Sequence, residues 1–214
     1  DAFWYQESTW HQIFKPLAGK AEYSWIASDR TFVNAFVGRW KYDTDGLNRT
    51  DAAPAYDTVT LRYSGRYLTT PYVGGRSRWQ YNGSVSHYVP SGWGGSHEIK
   101  AGVEFTDEGR TYDAPDPSKG GDYQLRFQNG APFQVVAYNY PYNTINKMHT
   151  YSAYVRDAWR LGDRATINAG VRFEGYDVYI PAQSKPAGRF YPAGEFESAD
   201  IVKCGRKLPT FNVR

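Results

Sequence analysis

The side chains able to do chemistry in this sequence are few and dispersed. Histidines stand at 11, 87, 97 and 149, and the single cysteine at 204. A zinc or haem site needs ligands at short, defined spacing, and neither Cys-x-x-Cys-His nor His-Glu-x-x-His occurs. One cysteine permits no intrachain disulfide, a usage that suits cytosol or a bacterial envelope alike. Two acidic stretches carry oxygen ligands of the kind that hold Ca²⁺. They are Asp113, Asp116 and Asp122 in one, and Asp43, Asp45 and Asn48 in the other. Neither keeps the Asp-x-Asp-x-Asp-Gly order of a calcium loop, so both read as solvated turns. There is no Gly-x-Ser-x-Gly elbow and no phosphate loop. Asn48-Arg49-Thr50 and Asn82-Gly83-Ser84 match the N-glycosylation pattern, a match common by chance. The expectation is a protein that is not an enzyme, with no catalytic residue, no metal, no cofactor and no identifiable substrate-binding residue.

The elements that position these residues have a period of two. Trp79, Tyr81, Val85 and Val89 share one parity between Arg78 and Val89, and Arg78, Gln80, Asn82, Ser84 and Ser86 share the other. Ile99, Ala101, Val103 and Phe105 alternate with Glu98, Lys100, Gly102 and Glu104. Ala165, Ile167, Ala169, Val171 and Phe173 alternate with Thr166, Asn168, Gly170, Arg172 and Glu174. Successive strand side chains point to opposite faces, so each segment is a strand with one apolar and one polar face. Gly19–Ala27, Arg30–Tyr42 and Met148–Arg160 are further strands, with another near Ser8–Phe14. Asp157 breaks the pattern, since it shares a face with Val155 and Trp159. His97 and His149 fall at opposite ends of their strands, which argues against a shared metal. The chain is all-β.

Composition narrows the class. With 25 Lys+Arg against 22 Asp+Glu, the charge is too even for a nucleic-acid binder. Aromatic side chains number 37 against 28 Val, Ile and Leu, the reverse of an ordinary globular core. No run of about 18 apolar residues exists, which excludes a transmembrane helix. Several strands run past the usual ~5–6 residues and reach the ~9–11 that a tilted membrane strand needs. Ser28-Asp29, Pro90–Ser96 and Leu161–Asp163 are short connections. Between them lie long polar excursions at about 43–75, 106–147 and 175–207. All short turns then lie at one end, as in transmembrane barrels with long extracellular loops. Tyr123–Phe127 and Phe133–Tyr138 form a hairpin around Asn129-Gly130, because Asn-Gly supplies the positive φ of a tight turn. Tyr88, Trp93, Tyr138, Tyr140, Tyr142, Trp159, Tyr176 and Tyr179 sit near strand ends, where interfacial girdles form.

Tyr154-Val155-Arg156-Asp157-Ala158-Trp159-Arg160, a short turn, and Ala165-Thr166-Ile167-Asn168-Ala169-Gly170-Val171-Arg172-Phe173-Glu174 together resemble a hairpin of TonB-dependent outer-membrane receptors of the Oar-like branch. His97-Glu98-Ile99-Lys100-Ala101-Gly102 is similar to the family's His-Glu-Leu-Lys-x-Gly strand. Gly65-Arg66-Tyr67-Leu68 with Arg76–Val89 is similar to the segment before it, and Leu208–Arg214 to a following strand. The resemblance implies an antiparallel meander forming part of a large transmembrane β-barrel with long extracellular loops. It implies a bacterial outer-membrane location, lipid around the wall and a role in moving a large solute across that membrane. The implied partners are the remaining barrel strands, a plug and an inner-membrane TonB-type energy transducer, with no nucleic acid.

Residues 1–214 are expected to be one partial barrel, a fragment or incomplete gene product, because neither a leader nor a plug segment is legible. The polar faces are expected to line the lumen or meet the plug, chiefly as scaffold. Two alternatives remain at this level: a soluble aromatic-rich, carbohydrate-binding sandwich, and a subunit that assembles by pairing its sheet edges.

Overall fold

The computed structural model describes residues 3–67, 72–113, 122–204 and 206–207. Six long strands make its wall: β2 (Trp10–Ser28), β3 (Thr31–Asn48), β6 (Tyr72–Gly92), β7 (Gly95–Asp113), β10 (Asn143–Leu161) and β11 (Ala165–Ile180). Each pairs antiparallel with the next, and the short β14 (Ala199–Lys203) and β15 (Arg206–Lys207) extend the sheet to eight strands. Tight connections after β2, β6 and β10 lie at one end, and all long connections lie at the other. Among the described residues the sheet stays open, with β2 and β15 as its edges.

One regularity governs the side chains. Tyr23 pairs with Ala35, Ala35 with Gly83, Gly83 with Val103, Val103 with Ala153 and Ala153 with Phe173. Every hairpin of the wall pairs odd residues with odd ones, so parity survives across six strands. The register shifts within these pairings lie beside the tight turns, between Ile26 and Ser28 and between Val89 and Gly92. Odd residues therefore share one face, and even residues the other.

The odd face is apolar through three consecutive rows. Trp25, Val33, Val85, Ala101, Val155 and Val171 form the first; the Tyr23–Phe173 row is the second; Ala21, Val37, Tyr81, Phe105, Tyr151 and Gly175 form the third. These side chains pack against no second sheet: Val103 is 61 % exposed, Phe173 60 % and Val171 74 %. Leaving such residues in water forgoes roughly 1.5–3 kcal/mol each. The sandwich alternative is overturned here, since it requires the apolar face to be sealed between two layers.

The strands, at 16 to 21 residues, outrun the expected ones at the open-loop end. The expected Ser8–Phe14 strand, from Trp10 onward, and Gly19–Ala27 merge into β2, with Ser8 ending a 3-10 turn before it, and the long excursions shrink to 49–71, 114–142 and 181–198. The next rows of the odd face explain why. Arg39, Asp107, His149 and Asp177 align, followed by Lys41 and Lys147, then Lys15 and Asp43. Charged residues enter the odd face there while aromatic ones occupy the even face, so alternation vanishes from the sequence while the backbone ladder continues. Asp43 and Asp45 accordingly lie in β3, ion-paired with Lys41 and Lys15, and not in a solvated turn.

The first two long connections and the segment before β2 build a second, mixed sheet of five strands. It orders β1 (Phe3–Trp4), β5 (Arg62–Ser64), β4 (Ala55–Asp57), β8 (Tyr123–Gln128) and β9 (Ala131–Ala137). A small hairpin, β12 (Gln183–Lys185) with β13 (Gly194–Phe196), adds to this outer layer. The β8–β9 turn sits at Asn129-Gly130 as expected, with φ of 50° and 83°. Leu208–Arg214 lies outside the described residues.

Candidate functional site

The even face is the candidate functional surface. Arg78, Gln80, Asn82, Glu98, Lys100, Glu104, Thr166, Asn168, Arg172 and Glu174 all lie on it. Several are drawn into one network. Arg172 donates to Glu104 at 2.7 Å and to Glu174 at 2.8 Å, and Ser152 donates to Glu104 at 3.3 Å. Arg78 pairs with Glu108 at 3.3 Å, and Gln80 donates to Asn82 at 3.5 Å. On the neighbouring strands Asn34 donates to Glu22 at 2.9 Å and to Ser24 at 3.1 Å. Such a face is fitted to water and solutes, not to lipid.

Towards the outer layer this face hollows into a cavity of about 480 Å³ lined by Trp10, Phe14, Tyr42, Tyr67, Arg76 and Arg110, among others. Phe14 stacks on Tyr42 at 5.3 Å, Trp40 on Tyr42 at 5.9 Å, and Trp10 on Tyr67 at 5.7 Å. Arg76 and Arg110 also border an adjoining hollow of about 690 Å³ reaching Trp40 and Met148. The sequence reading missed both arginines. Their only signal was parity within β6 and β7, and nothing in the sequence set those strands in register.

The odd face places the remaining named residues. Trp79 and Tyr81 stack at 6.1 Å above the apolar rows, with the Arg39 guanidinium 4.4 Å from the Trp79 ring. At the tight-turn end His97 is buried, stacked on Trp159 at 5.5 Å and edge-on to Trp93 at 5.6 Å. Its ring nitrogens face Asp157 at 2.7 Å and the Gly92 carbonyl at 3.1 Å. Asp157, the parity exception, is thus a turn-end partner of His97. His149, at the other end, lies 3.5 Å from Asp107. Among the described residues no three His, Cys, Asp or Glu side chains are gathered to hold a metal.

Long strands with one bare apolar face, one hydrogen-bonded polar face and tight turns at one end suit a bilayer on one side and water on the other. A family model described as an outer membrane beta barrel domain matches residues 9–209. The chain belongs to this family of outer-membrane β-barrel domains. No curated protein matches it. The barrel domain resides in the bacterial outer membrane, with lipid against its odd face. In such barrels the tight turns face the periplasm and the long loops the exterior.

The outer layer of the barrel domain follows different rules. Its core is polar and phenolic: Ser8, Arg66, Asp122, Gln124, Lys185 and Tyr140 are buried. Asp122, expected in a solvated turn, is only 1 % exposed and pairs with Arg189 at 3.2 Å. Asp116 lies outside the described residues. Tyr138, Tyr140 and Tyr142 stand at 5.3 to 5.5 Å from one another in sequence order. They pack this core and form no girdle. Burial and the neighbouring phenols push the Tyr140 hydroxyl well above its ordinary pKa.

Asp57 ties two loops together. Its carboxylate accepts the backbone N–H groups of Val59 and Thr60 from its own loop, and of Asn129 and Gly130 from the β8–β9 turn. Those donors, Thr60 and Gly130 foremost, lower its pKa to about 2. Gln183 acts as a surrogate peptide, accepting from Ile145 N at 3.0 Å and donating to Ile145 O at 2.9 Å, which fastens the third loop to β10.

Proposed function

We propose that this barrel domain is part of the wall and outer loops of a TonB-dependent receptor of the Oar-like branch. Such a receptor moves a large solute across the outer membrane. The chain contributes wall and loops, not chemistry, while a plug rearranges inside the fixed barrel using energy from an inner-membrane TonB-type transducer. The observation that carries this reading is the open sheet. Unpaired backbone groups cost several kcal/mol each in lipid, so the open edge of β2 needs a partner strand, as a larger barrel would supply. The resemblance of Tyr154–Glu174 supports it too, because those residues form one continuous hairpin with Leu161 opposite Ala165.

The test is the full-length parent in detergent and in cells. Cysteines placed at Trp79, Tyr81, Ala101, Val103 and Phe173 should react with lipid-phase reagents. Solute uptake should cease when the energy transducer is deleted. Uptake unaffected by that deletion, or a closed small barrel without a plug, would overturn the receptor reading.

A further inference from the structure

The even face holds one electrostatic conflict that its own residues leave unresolved. Arg76 and Arg110 are directly opposite each other in the β6–β7 ladder. Cβ atoms of such a pair lie about 4.5–5.5 Å apart, and like charges there are destabilising. Among the described residues neither guanidinium makes an ion pair or a hydrogen bond. The carboxylate beside them on this face, Glu108, is paired with Arg78, while Asp107, Asp43 and Asp45 belong to the odd face, where Lys147, Lys41 and Lys15 engage them. The other like-charge pair on this face, Lys100 opposite Arg156, differs. Together with Arg172 it shares its stretch of the face with Glu98, Glu104 and Glu174, so three cations meet three carboxylates, whereas Arg76, Arg78 and Arg110 have Glu108 alone.

The surroundings are shaped as well as charged. Tyr42 flanks Arg76 across β3, and Asn146 flanks Arg110 across β10. In the next row towards the outer layer the residue between Thr44 and Tyr112 is Gly74, which leaves free space over the arginines. Stacked rings bound that space on the β2–β3 side and above. From Tyr67 the rings continue into the outer layer: Trp4 lies at 5.4 Å, then Tyr63 at 3.9 Å and Tyr56 at 4.4 Å, with Arg126 6.0 Å from the Tyr56 ring.

We infer that the Arg76–Arg110 pair is a binding site for an anionic solute that also presents a flat face. A carboxylate, phosphate or sulfate group bridges the two guanidiniums, relieving their repulsion through charge-assisted hydrogen bonds. A sugar ring or aromatic ring of the same solute lies against Tyr42 and Phe14. This inference rests on the receptor reading and names the solute class it would take.

The experiment is calorimetric titration of the full-length protein in detergent, with two acid probes and their neutral counterparts. The probes are 2-naphthoate against 2-naphthylmethanol, and digalacturonate against its methyl ester. At least one acid is expected to bind tenfold or more tightly than its neutral partner, and which one does so separates an aromatic acid from an acidic sugar. R76Q/R110Q should abolish that preference, and G74V, which fills the space without changing charge, should weaken acid binding about tenfold. R156Q, at the balanced pair, should stay within twofold. Heat-modifiable gel mobility verifies that each variant is folded. Absence of an acid preference in the folded wild type overturns the inference, as does its persistence in R76Q/R110Q, even where uptake remains dependent on the transducer. Uptake independent of the transducer, with acid preference retained, removes the receptor reading and leaves the anion site standing.

Discussion

The wall and the outer layer are built from one continuous chain that passes repeatedly between them, yet on different rules. In the wall, large apolar side chains such as Val103 and Phe173 are exposed, and the charged ones meet on the other face. In the layer above, a carboxylate, an amide, a guanidinium and a lysine are buried, together with the Tyr140 ring. The difference reports the solvent each part meets. Lipid makes exposure of Val and Phe free and leaves nothing to be gained by a hydrophobic core. Water outside the membrane favours burial, yet this thin layer leaves Val59, Phe133 and Val135 more than half exposed and closes its interior with paired polar groups and stacked phenols.

The sharpest way to break this contrast is to place one charge on each face of the wall. V103R puts a cation in the middle apolar row and should destabilise the folded protein in lipid by about 2–4 kcal/mol. N82R, opposite Glu104 on the even face, should cost under about 1 kcal/mol. Urea titration of the full-length protein in vesicles measures both, and equal losses would end the two-face assignment. Next in size is a packing test within the wall. A Cβ on Gly102 would stand 2.7 Å from the Tyr154 ring across the β7–β10 ladder. G102V should therefore cost about 1–3 kcal/mol, part of which the double variant with Y154A regains.

The outer layer should respond without the wall. R189A leaves the Asp122 carboxylate buried and uncompensated. Because Arg189 is itself half exposed, the expected loss is about 1–2 kcal/mol. Hydrogen exchange should quicken at Tyr123–Gln128 and stay unchanged at Val103–Phe105. The smallest effect at neutral pH concerns Asp57. Its folded pKa lies below the unfolded value, so its contribution is complete above about 3.8 and is lost as pH falls through about 2. Proteolysis of the β8–β9 turn by pepsin should be flat between pH 5 and 4 and rise between about 4 and 2. In D57N the rise should already be present at pH 4.

Much of the wall was legible because period-two alternation is a local property: the parity of Trp79 and Tyr81, of Val103 and Phe105, and of Val171 and Phe173 needs no partner strand to be read. Asn129-Gly130 announced its turn for the same reason. Legibility ended where charged residues enter the odd face and aromatic ones the even face, which is why Asp43 and Asp45 looked like loop residues although they continue β3. It ended again at Tyr138, Tyr140 and Tyr142, whose position near a strand end suits a girdle or a buried cluster equally well.

The sequence by itself determined that extended segments carry one lipid-compatible face and one aqueous face, because neighbouring side chains on a pleated strand must diverge. Only the tertiary structure decided which residues meet. The register that sets Arg76 against Arg110, the pairing of Asp122 with Arg189 and the span from Asp57 to Gly130 all join positions distant along the chain. Their meeting depends on how hairpins align and loops fold back, and those choices follow from the summed hydrogen bonding of whole strands, not from any local run of residues.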